Sequence, residues 1–400
     1  MRRRNFWMAG AAVLGGGVAG AALAWYYRPQ PETIANSSPS GSSPEAPSAT
    51  PQPASTPTTR SVLGLPRDLY IPPRRDVRLM VTSDLNASYG SVDYDLEVDR
   101  AIQLIPYWQP DIVIGAGDMV AGQDPRLSVE RLKAMWVAFD EHFGSPLREA
   151  GLPYGFTVGN HDASSYRSVK GTFLFQKERD ETANYWNDPA HDPGLQFIDK
   201  AGFPFYYTFE HAGIFFLVWD ASSNWIPPEQ MAWAEASLSS AKAQSAPLRI
   251  VIGHLPLYGV ATGRNELGEI LDNAEEKRAL LERYRVHTYI SGHHHAYYPA
   301  HKGQLQLLHC GILGSGPRPL INTPLVPRKT LTLVDVDFHE VNTFYTTYNM
   351  QTMELIDQGE LPRFLTGANG VVIRRDVEWQ DLSPEELATC RSQIGDLCRA

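Results

Sequence analysis

From Val77 onward the chain repeats one pattern: a short β-prone run that stops on polar residues, then a stretch with apolar positions three and four apart. Val77–Thr82 ends in Ser83-Asp84-Leu85-Asn86, and the following stretch places Leu96, Ala101, Ile102, Leu104 and Ile105 at helical spacing before Pro110. Asp111–Gly117 is a buried strand that delivers Asp118, and Ser128–Phe143 reads as a second amphipathic helix. Pro153–Val158 then leads into Gly159-Asn160-His161-Asp162. Strand and helix in alternation predict an α/β fold (α+β in some schemes) with a site at the carboxyl edge of a sheet.

After His161 the pattern breaks. Residues 163–203 are charged and aromatic, with no clear period, and a long irregular insertion beside a site loop is a candidate cover for a substrate. The alternative is a surface excursion with its own small cluster. Strands over Phe205–Phe209 and Ile214–Trp219 form a hairpin, Pro228–Ala243 is helical, and Leu248–Ile252 ends in Gly253-His254. Asn265–Tyr284 looks helical, and the apolar segment Val286–Ile290 ends in Ser291-Gly292-His293-His294-His295. Leu305–Leu308, Leu331–Phe338 and a strand near Val341–Thr347 are expected to complete a second sheet. Farther on, Ser383 and Pro384 mark a helix start.

Composition adds the two ends. Arg2-Arg3-Arg4 precedes an Ala/Gly-rich apolar run from Met8 to Ala24, the layout of a signal peptide, and Arg3-Arg4-Asn5-Phe6 resembles a twin-arginine export signal. Residues 1–27 are therefore expected to engage the twin-arginine export machinery, either as a cleaved signal or as a single N-terminal membrane anchor. The expected destination is the periplasm or an equivalent extracytoplasmic space. Residues 28–65 are rich in Pro, Ser and Thr and form a tether, 66–348 is the globular domain, and 349–400 is a C-terminal extension. A net charge of −10 argues against general nucleic-acid binding. Among Cys310, Cys390 and Cys398, the last two can close a short loop in an exported protein, whereas in a reducing compartment all three stay thiols.

The strand ends together present Asp84, Asn86, Asp118, Asn160, His161, His254, His293 and His295. Each alone reads as a cap, a turn residue or a satisfied core histidine. Oxygen and imidazole ligands from successive loops of one sheet edge are what two adjacent divalent ions need. Histidines at i and i+2 reach different ions, while His294 between them faces away, into solvent or behind the ligands.

Asp84-Leu85-Asn86, Gly117-Asp118, Gly159-Asn160-His161-Asp162, Gly253-His254 and Gly292–His295 resemble, in order and spacing, the motifs of the calcineurin-like metallophosphoesterases, which include purple acid phosphatases. The resemblance runs over about residues 76–347 and includes Tyr206–Phe209 and the helix with Gln230 and Trp233. It implies a four-layer fold, a β-sandwich flanked by helices, with a dinuclear centre at the sheet-edge loops. It also implies hydrolysis of phosphate mono- or diesters by attack of a metal-bridging hydroxide. Asp84 and His295 would hold one ion, Asn160, His254 and His293 the other, with Asp118 bridging, and the pair would be Mn, Fe, Zn or a mixture. By the same resemblance His161 contacts phosphate and protonates the leaving oxygen, while Asp162 either orients His161 or caps a helical turn.

Two departures stand out. Asn86 occupies a position that is usually His, which weakens the ion at Asp84 and His295. Met119-Val120-Ala121 lacks the iron-binding tyrosine of purple acid phosphatases. The opposing functional reading is a catalytically impaired protein that binds a phosphorylated ligand or serves as an envelope scaffold. Specificity would reside in the 163–203 insertion and the loops around Tyr258 and Tyr297.

Overall fold

Along Val77–Thr82 alternate side chains enter two different cores, and this parity layers the molecule. In a computed structural model of the protein, which describes residues 69–399, the targeting and tether segments 1–27 and 28–65 lie outside the described residues. The first strands are β1 (Val77–Thr82), β2 (Ile112–Gly115) and β3 (Tyr154–Phe156), followed by β4 (Gln196–Gly202), β5 (Tyr206–His211) and β6 (Ile214–Val218). Next come β7 (Leu248–Ile252), β8 (Thr288–Ser291), β9 (Tyr298–Lys302), β10 (Leu305–His309), β11 (Thr330–Asp337) and β12 (Asn342–Asn349). The C-terminal extension adds β13 (Phe364–Gly367) and β14 (Gly370–Arg374). The longer helices are α1 (Leu96–Trp108), α2 (Val129–Phe139), α3 (Gln176–Asn187), α4 (Pro228–Ser239), α5 (Ala274–Arg283) and α6 (Pro384–Ile394).

A five-stranded sheet runs β12-β11-β1-β2-β3, and a nine-stranded sheet runs β13-β14-β9-β10-β8-β7-β6-β5-β4. Val77, Leu79, Val81, Ile112 and Ile114 share a core with Phe209, Phe216 and Leu217 of the larger sheet, while Met80 and Val113 pack with Leu104, Trp108, Leu132 and Trp136 of α1 and α2. Ala234 and Leu238 of α4 and Leu281 of α5 join the core of the larger sheet, giving helix, sheet, sheet and helix layers. The exception on the outer side of β1 is Arg78. It is buried and pairs Nε to Asp335 Oδ1 at 2.9 Å, while its Nη1 donates to Trp108 O at 2.9 Å, tying the end of α1 to the sheet. Losing one partner of such a buried pair costs about 3–5 kcal/mol.

Three sequence expectations change. β11 pairs antiparallel with β1, and β12 with β11, so these strands extend the first sheet and not the second. Alternation marks a segment as strand, but its neighbour is chosen by long-range packing. The stretch 265–284 is helical only over Ala274–Arg283, after Asn273 in a left-handed conformation, and residues 265–273 form a loop. The 163–203 insertion carries a full helix, α3, whose Tyr185 and Trp186 are buried against Trp136 and Phe139. The helix start at Ser383 is as expected: its Oγ accepts from Glu386 N at 3.2 Å, and its own amide donates to Glu386 Oε2 at 2.8 Å.

Candidate metal centre

The strands approach the site as ordinary β structure and then curl. Asp84, Asp118, His293 and His295 have φ of 51°, 55°, 64° and 54°. Left-handed backbone costs a non-glycine residue energy, although Asp and His tolerate it better than most. Its effect is to turn these side chains inward off the strand ends. The loops also approach closely, since a Cβ on Gly159 would collide with Asp118, and one on Gly292 would collide with Ser83 and Asp84.

Two groups of ligand atoms result. In the first, His295 Nε2 lies 3.1 Å from Asp84 Oδ1. His295 Nδ1 faces Gly316 O at 2.9 Å, so the ring donates there and leaves the Nε2 lone pair aimed at the carboxylate. In the second, Asn160 Oδ1 lies 2.9 Å from both His254 Nε2 and His293 Nδ1. His254 donates from Nδ1 to Ala116 O at 2.8 Å, and His293 donates from Nε2 to Glu269 Oε2 at 2.8 Å. Asp118 sits between the groups, with Oδ2 3.3 Å from His254 Nε2, and ligand atoms of Asp84, Asp118 and His254 all fall within 4.8 Å of one another. Asn86 is buried on the Asp84 loop, its backbone N–H directed at Asp118 O at 3.3 Å.

These residues fit a bound cation. Asp84 Oδ1 and Asp118 Oδ2 are buried without a hydrogen-bond partner, and the atoms opposite them are imidazole lone pairs. Acceptors facing acceptors in a buried site need a positive charge between them. Burial disfavours a proton on His254, yet the Asp118 charge outweighs it and holds the ring up at about 9. Burial also opposes ionisation of Asp118, but His254 and His161 hold its carboxyl well below the usual range. A cation between these atoms takes the place of that proton.

His161 stands beside this group. Its Nδ1 is 3.0 Å from Gly122 O, and Nε2 is 4.0 Å from Asp118 Oδ2, so the second nitrogen faces the centre. Burial lowers its pKa, opposed by the Asp118 charge. Asp162 does not act on that ring. Its Oδ1 accepts from Met119 N and Val120 N at 2.7 and 2.9 Å, and its Oδ2 accepts from Gly159 N at 2.7 Å. Both its oxygens are engaged by backbone amides, so Asp162 caps the turn Asn160–Ala163 and ties it to the Asp118 loop. His294 is fully buried and not solvated; Nδ1 accepts from Val260 N at 3.2 Å and Nε2 faces Glu269 O at 3.1 Å. Burial drives its pKa down to about 3.

Four contributors were invisible as ligands in the sequence. Gln123 Oε1 accepts from Asn160 Nδ2 at 2.7 Å, which points the Asn160 oxygen at the histidines. Glu178 of α3 in turn holds the Gln123 and Asp124 amides at 3.0 and 3.2 Å. Glu269 selects the His293 tautomer that donates from Nε2, and Arg264 Nη1 donates to the same Glu269 Oε2 at 2.9 Å while lying against the His293 ring. The expected helix over Asn265–Tyr284 hid the role of Glu269; Gly268 was the available signal that the helix starts later. At the mouth, the half-exposed Tyr89 ring lies 5.0 Å from the His161 ring. Tyr258 and Tyr297 are buried instead, Tyr258 bonded to Glu275 Oε1 at 2.8 Å.

Comparison with known proteins agrees with this geometry. The family model for calcineurin-like phosphoesterase matches residues 77–297, which include every candidate ligand. A curated relative, described as a probable purple acid phosphatase 20 from Arabidopsis thaliana, is 22% identical over 228 residues, 56% of this chain and 47% of the relative. The chain thus matches about half the length of that relative. Among solved structures, purple acid phosphatase PPD1 from yellow lupin (Lupinus luteus) superposes with a TM-score of 0.52 at 17% identity, covering 70% of this chain and 52% of that one. The fold is shared, and since the family model spans more than half of the sequence and contains both ligand groups, this chain belongs to the calcineurin-like phosphoesterase family.

Proposed function

We propose that the protein is an exported, metal-dependent phosphoesterase that hydrolyses phosphate mono- or diesters. The observation that carries this reading is the pair of buried, unpartnered carboxylate oxygens, Asp84 Oδ1 and Asp118 Oδ2, facing imidazole nitrogens whose other ring atoms are already engaged. Asp84, His295 and Asn86 would hold one divalent ion, Asn160, His254 and His293 the second, with Asp118 between them. Such a pair supplies Lewis acidity toward phosphoryl oxygens and lowers the pKa of water.

The chain's own residues do the rest. His161 holds or gives a proton at Nε2, because Nδ1 is committed to Gly122 O, and this places an acid beside the centre for a leaving oxygen. Gln123 keeps the Asn160 oxygen turned inward, and Glu269 keeps the His293 Nδ1 lone pair turned inward. The Tyr89 ring lies beside His161 at 5.0 Å.

Two features support export. The arginine-led apolar start has the form of a signal, and Cys390 and Cys398 are disulfide-bonded, a pairing that persists in oxidising compartments. The test is to purify the protein, count its metals, and assay aryl phosphate mono- and diesters with added Mn²⁺. Turnover that needs about two ions per chain is the expected result. Less than one ion with no turnover, unrescued by Asn86→His, refutes the reading.

A further inference from the structure

We propose that the C-terminal hairpin turn is part of the metal centre's support, with Asn369 as the positioning residue for the His293 side. The inference rests on the reading that Asn160, His254 and His293 hold a divalent ion. The loop between β7 and α5 leaves the sheet at His254 and carries both Arg264 and Glu269, which bear on the His293 ring beside Asn160. His294 grips that loop from inside at Val260 and Glu269. Within the loop Leu271 N donates to Pro256 O at 2.9 Å, and residues 319–321 bracket its middle, with Thr262 N donating to Pro319 O at 2.9 Å and Ile321 N to Val260 O at 3.0 Å.

The β13–β14 turn adds a separate hold at Leu257, Gly259 and Asn265. Asn369 Nδ2 donates to Leu257 O at 2.7 Å, and Gly259 N is directed at Asn369 Oδ1 at 3.3 Å. Ala368 N donates to Asn265 Oδ1 at 2.6 Å, one residue from Arg264. The two backbones pack so closely that a Cβ on Gly367 would sit 2.5 Å from Gly259 O. Asn369 therefore reproduces the pairing of a strand edge with its side chain, bonding both a carbonyl and an amide of the loop.

The turn is itself anchored. β14 pairs with β9 at Ile373↔His301 and Arg374↔Ala300, and Val371, Ile373, Cys390 and Cys398 share a small core. The buried Lys302 donates from Nζ to Val371 O and Arg399 O at 3.2 and 2.9 Å. The extension is thus a stapled module whose projecting turn meets the family domain at the loop that serves His293. Displacement of that loop would move Glu269 away from His293 Nε2 and free the ring to rotate, and partners of this kind typically govern metal affinity 10- to 100-fold, roughly.

The experiment uses the full chain and Mn²⁺ as the probe, with binding read by calorimetry and not by turnover. Asn369→Ala is expected to weaken one of two Mn²⁺ binding steps about 10-fold and leave the other unchanged. Asn369→Asp, which keeps the acceptor for Gly259 N, should recover part of the loss. In a double-mutant cycle, Asn369→Ala added to Glu269→Gln should cost little beyond Glu269→Gln alone, because both act through one side chain. Equal affinity in wild type and Asn369→Ala, equal weakening of both steps, or additive losses in the cycle would each overturn the inference. Wild-type protein that takes up no Mn²⁺ would overturn the metal reading itself, and this inference with it.

Discussion

Asp84 Oδ1 and His295 Nε2 face each other at 3.1 Å, and the imidazole's other nitrogen is spent on Gly316 O. Neither atom can donate to the other in that tautomer, so the pair is a half-built ligand set. The third candidate on this side, Asn86, offers a neutral oxygen where imidazole would hold a transition metal more firmly, so this ion is expected to be the more easily lost. His295→Ala should therefore lose one metal equivalent on gel filtration while the second is retained. His293→Ala should disturb the ion shared with Asn160 and His254. Simultaneous loss of both ions in His295→Ala would contradict the division.

Gln123 touches no candidate ion, yet it decides which end of the Asn160 amide faces inward. Gln123→Leu removes the acceptor for Asn160 Nδ2 and should lower metal affinity about 10- to 100-fold. Gln123→Glu keeps an acceptor and should stay close to wild type. Metal titrations of the two variants settle the matter, and equal affinities would remove Gln123 from the centre.

Asp162 is a structural clip in this geometry. Asp162→Ala leaves three buried amides without their acceptor and should destabilise the fold by on the order of 3 kcal/mol. Its pH–rate profile should keep the wild-type shape. A lost limb in that profile, with unchanged thermal stability, would return Asp162 to the chemistry.

Glu178 carries a pH signature. Burial pushes its pKa from 4.5 up to about 7, partly offset by the Gln123 and Asp124 amides. The folded state then binds a proton that the unfolded chain has released, so stability is full below about pH 4.5 and falls as pH rises toward 7. The slope in that window is at most about 1.4 kcal/mol per pH unit. Glu178→Gln should lack this decline, and melting curves of both proteins across pH 4 to 8 check it. Parallel curves would show that Glu178 titrates normally.

Much of the centre was legible because its ligands end strands. An apolar run that stops on Asp, Asn or His places those groups at a strand's carboxyl end, so Asp84, Asp118, Asn160, His161, His254, His293 and His295 could be grouped from local pattern. That β1–β3 and β7–β8 belong to two facing sheets, and not to one sheet edge as the sequence suggested, was not visible there. What remained illegible depends on non-local pairing. Period two identifies β11 as a strand but does not say that it lies beside β1. Glu269 and Gln123 have no pattern of their own and matter only because folding brings them to His293 and Asn160.

The division has a physical basis. Side-chain direction, strand ends and capping residues are set within a few positions along the chain, and these determined the fold class and the ligand inventory. The tautomer of each histidine, the commitment of Asp162 to backbone amides, and the contact of Asn369 with the His293 loop are set by hydrogen bonds across tens to hundreds of residues, and only the tertiary structure decided them.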